Sequence, residues 1–169
     1  MTETIWATLT DVRYKGFCLT YLMEKYKRRE RNINLFLALI SYGGILGWIL
    51  NQHLPLLWAS VIGVAQLFTI AEPYFPYNKY VEELNEKIPK IDFLVIELEE
   101  LWRKSENNSV DPQEVEARYY ELRRRLQDPL TYSKDAIFNF TKKIKNKALG
   151  KMETYLLVTF GVSYKFKKV

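Results

Sequence analysis

Residues 32–71 are forty consecutive positions without a formally charged side chain, His53 being neutral. That stretch is too long for one membrane span and the right length for two. A helix rising about 1.5 Å per residue needs about 20 apolar residues to cross about 30 Å of hydrocarbon. Residues 33–50 supply one such segment and residues 54–71 the next. Between them lie only Asn51, Gln52 and His53, a turn too short to cross anything. Pro55 falls near the first turn of the second helix, where its missing N–H is harmless. The two helices must therefore form a hairpin with both ends on one side. A hairpin buried inside a soluble protein is the competing arrangement, but 169 residues leave little chain to cover such a pair all round.

Orientation follows from the flanks, because Lys and Arg are retained on the cytoplasmic side. Lys25, Lys27, Arg28, Arg29 and Arg31 crowd the entrance, Lys79, Lys87 and Lys90 follow the exit, and the turn carries none. Both termini are expected in the cytoplasm, with the hairpin in the inner membrane. Trp48 and Trp58 near the turn, and Tyr74, Phe75 and Tyr77 beyond the second helix, fall where interfacial aromatic belts belong. The 25 Lys+Arg against 20 Asp+Glu leave a net +5, and the excess gathers beside the hairpin and at the C-terminus. That placement suits an anionic lipid leaflet better than a nucleic-acid groove. A lone Cys18 excludes an intrachain disulfide, and a single histidine removes the usual metal and catalytic constellations. The charged, helix-patterned residues ahead of the apolar run do not read as a cleavable signal peptide.

Before the hairpin, Ile5, Leu9, Val12, Gly16, Leu19, Met23 and Tyr26 recur at alternating spacings of four and three, a heptad seam. Trp6 and Phe17 lie outside it and broaden the stripe. Packing against the chain's own later helices and self-association between protomers both fit that spacing. Residues 25–31 are predicted to continue the same helix into the membrane, since no Pro or Gly interrupts them.

Within the hairpin, Gly43 and Gly47 form a Gly-x-x-x-Gly pair, and Ala59 with Gly63 a second small-residue pair. Small residues four apart let membrane helices approach closely, either within the hairpin or between copies. Asn34, Ser41, Ser60 and Gln66 are the polar residues expected either to line a pore or to bond between helices, and Thr69 also lies at that depth. Gln66 is the costliest to leave facing lipid. The absence of charge at mid-membrane argues against a proton relay, a voltage sensor or a coupled transporter.

The Pro73 and Pro76 pair closes the second helix. An amphipathic stripe of Tyr77, Val81, Leu84 and Ile88 is then ended or kinked by Pro89, and the helical pattern resumes from Ile91 to Trp102. Asp111-Pro112-Gln113-Glu114 is a helix start with a capping acid and Pro at the first position. Arg118, Arg123, Arg124 and Arg125 on that helix form either a solvated ion-pair face or a docking face for an acidic partner or nucleic acid. Asp128-Pro129 repeats the start signal, with a helix through Ile137, Phe140, Ile144 and Ala148 expected to end near Gly150. Residues 152–164, apolar and framed by lysines, either lie at a lipid interface or pack into the bundle.

No phosphate loop, nucleophile elbow or metal-ligand spacing occurs, so no catalytic, cofactor or metal site is expected. The expected fold is an all-α membrane protein: an N-terminal cytosolic helix (1–31), a transmembrane helical hairpin (32–72) and a cytosolic helical bundle (73–169). This arrangement, with Trp6 on the N-terminal helix and the run Lys25-Tyr26-Lys27-Arg28-Arg29 entering the first span, resembles the SLATT family of two-transmembrane effectors from prokaryotic conflict systems. The resemblance implies an antiviral effector that oligomerises to form pores or perturb the membrane when a sensor partner signals infection. That sensor would be a nucleotide-signalling enzyme or a retron reverse transcriptase complex. The other function the residues allow is a membrane anchor that tethers a cytosolic complex, with or without nucleic acid, without forming a pore.

Overall fold

The computed structural model describes residues 1–50, 59–60, 62–64, 66–67, 70, 77–107, 109–130 and 140–166, without the side chains of 41–50 and 77–78. Among them every regular element is helical, so the all-α expectation holds. Helix α1 (Thr2–Leu50) runs unbroken, through the basic run and into the uncharged stretch as expected. Helices α2 (Tyr77–Glu106), α3 (Pro112–Arg125), the one-turn α4 (Gln127–Leu130) and α5 (Lys142–Phe160) follow. The chain divides into two compact units, one of Met1–Met23 with Glu82–Val169 and one of Glu24–Val81. The first unit thus begins with the N-terminal half of α1, which folds with the C-terminal helices.

In that first unit, contacts pair the start of α1 with the end of α2. The Thr2 and Ser105 hydroxyls lie 2.7 Å apart, the Trp6 and Trp102 rings 4.9 Å, and Arg13 donates to Asp92. The two helices are therefore antiparallel. Helix α3 returns antiparallel to α2, placing Tyr119 Oη 2.9 Å from Thr8 Oγ1. Helix α5 again opposes α1, with Phe160 4.8 Å from Trp6 and Lys147 5.7 Å from the Tyr21 ring. Between those contacts α1 climbs about 22 Å and α5 descends about 20 Å, a matched register for helices rising about 1.5 Å per residue. The result is an up-down-up-down four-helix bundle.

Its core is built from apolar residues at helical spacing. Ile5, Leu9, Leu19, Leu84, Ile91, Leu98 and Leu122 are fully buried, and Ala148 and Met152 close the side contributed by α5. Each fully buried aliphatic side chain of this size contributes about 1.5–3 kcal/mol. The N-terminal seam is used here: Ile5, Leu9, Val12 and Leu19 are buried within the chain's own bundle. Gly16 faces α2, where an added Cβ would come 3.4 Å from Ile91 Cγ2, an ordinary van der Waals contact.

Several local expectations needed correction. Of the two outcomes expected at Pro89, the ending does not occur: α2 runs on through it, with Pro89 exposed inside the helix. An interior proline costs about 3 kcal/mol, and the buried Leu84, Ile91, Leu94 and Leu98 on either side offset that. Asp111 is the N-cap of α3 but its side chain makes no capping hydrogen bond. Around Asp128-Pro129 the described residues form the turn α4, and the expected helix start at Ile137 lies outside the described residues. Helix α5 does not stop at Gly150 but continues to Phe160, held across the glycine by buried Ala148, Met152 and Leu156. It ends at Gly161, whose φ of 70° an L side chain adopts only with strain. There the Gly161 and Val162 N–H groups bond the Leu157 and Leu156 carbonyls. Residues 152–160 thus pack into the bundle along one face, while Leu157 and Val158 are exposed on the other.

The second unit contains the end of α1, with residues 59–60, 62–64, 66–67 and 70 helical beyond it. Tyr26 and Tyr80 stack 5.7 Å apart near its two chain ends. Among the described residues no helix is long and apolar enough to cross a membrane. The expected spans at 33–50 and 54–71 draw on side chains and residues outside that set.

Candidate membrane-facing surface and the charged faces of the bundle

In the second unit several large apolar side chains are exposed, although Ile33, Leu37 and Ile40 are half-buried and Val81 is buried. Leu35, Leu39, Leu67 and Ile70 are 58%, 63%, 67% and 64% exposed. Large side chains left uncovered in this number, on a stretch without charge, define a surface that water does not suit. Ala59, Gly63, Gln66 and Ile70 follow one another at spacings of four, three and four, so a helix presents them in one row. All four are exposed, and a Cβ added at Gly63 would meet no atom within 4 Å. Asn34 is exposed on α1, whereas Ser60, also exposed, has an interaction partner of its own. Gly43, Gly47 and Ser41 lie in α1, but the side-chain surroundings of 41–50 are outside the described residues.

At the entrance, Lys27, Arg28, Arg29 and Arg31 are exposed and Lys25 half-buried. Arg28 pairs with Glu24 at 3.2 Å, one turn back on the same helix. The run is thus a charged collar on a single helix, expected from its spacing.

The arginines of α3 separate into two pairs. Glu97 of α2, its side chain 14% exposed, accepts from Arg118 at 2.9 Å and from both Nη atoms of Arg125 at 2.9 and 2.8 Å. The Glu97 hydrogen bond holds the Arg125 guanidinium above its ordinary value. Arg118 also reaches Glu121 at 2.7 Å. Arg123 and Arg124 form no ion pair among the described residues. Half of the docking face read from the sequence is therefore a clamp between α2 and α3. Glu97 stands 21 and 28 residues from its partners, a separation that no short-range pattern reveals.

A second constellation also escapes the sequence. The Arg13 guanidinium stacks between Phe17 and Tyr155, 4.7 and 4.9 Å from their ring centres, while bonding Asp92. Tyr155 in turn donates its hydroxyl to Glu99, and burial followed by that carboxylate pushes its pKa far up. On α1, beside Arg13, burial raises the Tyr14 hydroxyl to about 12, and its contact with Cys18 adds to the shift. Burial likewise pushes the Cys18 thiol up. Tyr155 thus ties α5 to α2, whereas Tyr14 and Cys18 meet one turn apart on α1, with Cys18 buried.

Helix α5 carries Lys142, Lys143, Lys145, Lys147 and Lys151 with no acid between Phe140 and Met152. None of the five forms an ion pair among the described residues. Three occupy the first turn, which holds no acidic residue. A cation there opposes the helix dipole at about 0.3–1 kcal/mol. Lys143, Lys147 and Lys151 repeat at four-residue intervals and are all exposed, where like charges repel by about 0.2–0.5 kcal/mol a pair.

No family model, curated protein or solved structure matches this chain. What the surfaces do must be argued from their chemistry.

Proposed function

We propose that this chain is a membrane effector of a bacterial defence system. Its residue 33–71 hairpin lies in the inner membrane with both ends cytoplasmic, and copies associate there to form a pore or perturb the bilayer when a sensor partner signals. The resemblance to the SLATT family motivates the defence role, with a nucleotide-signalling enzyme or a retron reverse transcriptase complex as the sensor.

One observation carries the association step: the exposed row of Ala59, Gly63, Gln66 and Ile70. In hydrocarbon an unpaired Gln66 amide costs several kcal/mol, about 2–7. A second copy seated on the small residues would bring a partner for that amide, or shelter the water that solvates it. Two helices per chain cannot enclose an aqueous path, so conduction requires several copies. Gly63→Leu combined with Ala59→Leu is expected to abolish dye and ion leakage in cells expressing the protein. Co-fractionation with membranes should persist, because each new side chain enters open space. Leakage equal to that of the parent chain would refute this seam.

The anchor reading is favoured by a different observation, that Arg123 and Arg124 form no ion pair among the described residues and so could meet an acidic partner or nucleic acid. Exchanging the hairpin for an unrelated two-span hairpin separates the two. Loss of toxicity supports the effector, and retention supports the anchor.

A further inference from the structure

Two exposed helix faces of the first unit complement each other. On α2, Glu82, Glu86, Pro89, Phe93, Ile96 and Glu100 recur at spacings of four and three, and all are exposed. That row is acidic at its start and apolar at its middle, where Phe93 and Ile96 are 58% and 61% exposed. Glu86 pairs with Lys90 yet stays 70% exposed, and Glu82 forms no ion pair among the described residues. On α5, Lys143, Lys147, Lys151, Thr154 and Val158 recur at spacings of four and three and are also exposed. This second row is basic at its start and apolar at its end, where exposed Leu157 adjoins Val158. Its lysines repel one another, and Lys143 also opposes the dipole of its own helix.

The two rows share a direction and nearly a level. Arg103 donates to the Thr159 carbonyl and Tyr155 to Glu99, both 56 positions apart, so α2 and α5 run parallel within the bundle. Carried toward their starts at that offset, Glu86 lies abreast of Lys142 and Ile96 abreast of Met152. A parallel neighbouring copy slid by about 5–8 Å, one turn or slightly more, brings Glu82 to Lys143 and Glu86 to Lys147. The same slide brings Phe93 and Ile96 to Thr154, Leu157 and Val158. We infer that the α2 row of one copy docks on the α5 row of the next, a head-to-tail contact between copies of this chain. Its two faces differ, so it is heterologous and propagates from copy to copy. Like rows in parallel copies would instead oppose acid to acid or lysine to lysine. Exposed ion pairs add little affinity, so the apolar part supplies the attraction while the charges fix register and partner. The contact lies wholly within the first unit. It rests on the proposed association of copies and adds to it a bundle-to-bundle face, separate from the Ala59 and Gly63 seam.

Full-length chains in detergent micelles test the contact by cysteine cross-linking in a Cys18→Ser background. A chain carrying Glu86→Cys and a differently tagged chain carrying Lys147→Cys are mixed and treated with a short bismaleimide. The mixture should cross-link about tenfold more than either chain alone, and more than Glu86→Cys mixed with Glu116→Cys on α3. Charge reversal gives a second readout, with circular dichroism verifying the helix content of every variant. Glu82→Lys with Glu86→Lys in one chain, and Lys143→Glu with Lys147→Glu in another, should each lower the association constant measured by sedimentation about tenfold. An equal mixture of the two should restore it, because each reversed face then meets its opposite. Cross-linking of Glu86→Cys to itself at the yield of the mixture places two α2 faces together and overturns the head-to-tail contact. Failure of the charge-reversed mixture to regain association overturns it as well. Absence of the cross-link while the parent chain leaks, and Ala59→Leu with Gly63→Leu stops the leak, overturns this contact and leaves the proposed function standing. Cross-linking at full yield in a chain that causes no leakage supports the contact and counts against the pore.

Discussion

Replacing Glu97 with glutamine tests whether the α3 arginines are a clamp or a docking face. The substitution keeps the side chain's shape and one acceptor oxygen but removes the charge that three guanidinium contacts share. Glu97 is 14% exposed, whereas Arg118 and Arg125 are 48% and 40% exposed. Charge-assisted hydrogen bonds to a buried carboxylate contribute about 1.5–3 kcal/mol and exposed ion pairs about 0.2–1. Water around the arginines places this network between the two, so Glu97→Gln should cost about 1–2 kcal/mol of unfolding free energy. Arg124→Gln, which removes no ion pair among the described residues, should stay within about 0.5 kcal/mol of the parent. Urea unfolding of the full chain in detergent measures both, and high salt should shrink the Glu97 effect by screening the half-exposed arginines. A cycle combining Glu97→Gln with Arg125→Met should return a coupling of about 1 kcal/mol. If Glu97→Gln matches Arg124→Gln, or if salt leaves it unchanged, the clamp is not an energetic element of the bundle.

Three further outcomes are expected. Trp6→Ala empties the centre of a cluster whose rings lie 4.9 Å (Trp102) and 4.8 Å (Phe160) away, and should destabilise the bundle by about 3 kcal/mol with loss of near-ultraviolet dichroism. Gly161→Ala, at φ 70°, should cost about 1 kcal/mol and speed hydrogen exchange in the last turn of α5. Stability should fall as pH rises from about 9 to about 12. Tyr14 and Cys18 are both raised in the folded state, so the unfolded chain loses their protons first. Thermal melting at pH 8 should therefore exceed that at pH 11, and Cys18→Ser should narrow the gap.

The helices were legible because each leaves a local record. Apolar residues at spacings of three and four marked the buried faces of α1, α2, α3 and α5, and Pro112 marked a start. The uncharged stretch followed from length and composition alone. Local signals failed where packing outweighed them. Buried neighbours carried α2 through Pro89 and α5 through Gly150, because several buried side chains outweigh one unfavourable backbone position.

The sequence by itself determined that the chain is helical, that a long segment carries no charge, and that lysines and arginines gather around it. Only the tertiary structure decided where those charges go. Antiparallel packing brought Glu97 to Arg118 and Arg125, removing half of the apparent docking face. It also buried Ile5, Leu9, Val12 and Leu19 of the N-terminal heptad seam inside the bundle and left the Ala59, Gly63 and Gln66 row exposed. The reason is range: helix formation is settled over a few residues, whereas partners 21, 28 or 111 positions apart meet only when whole helices pack.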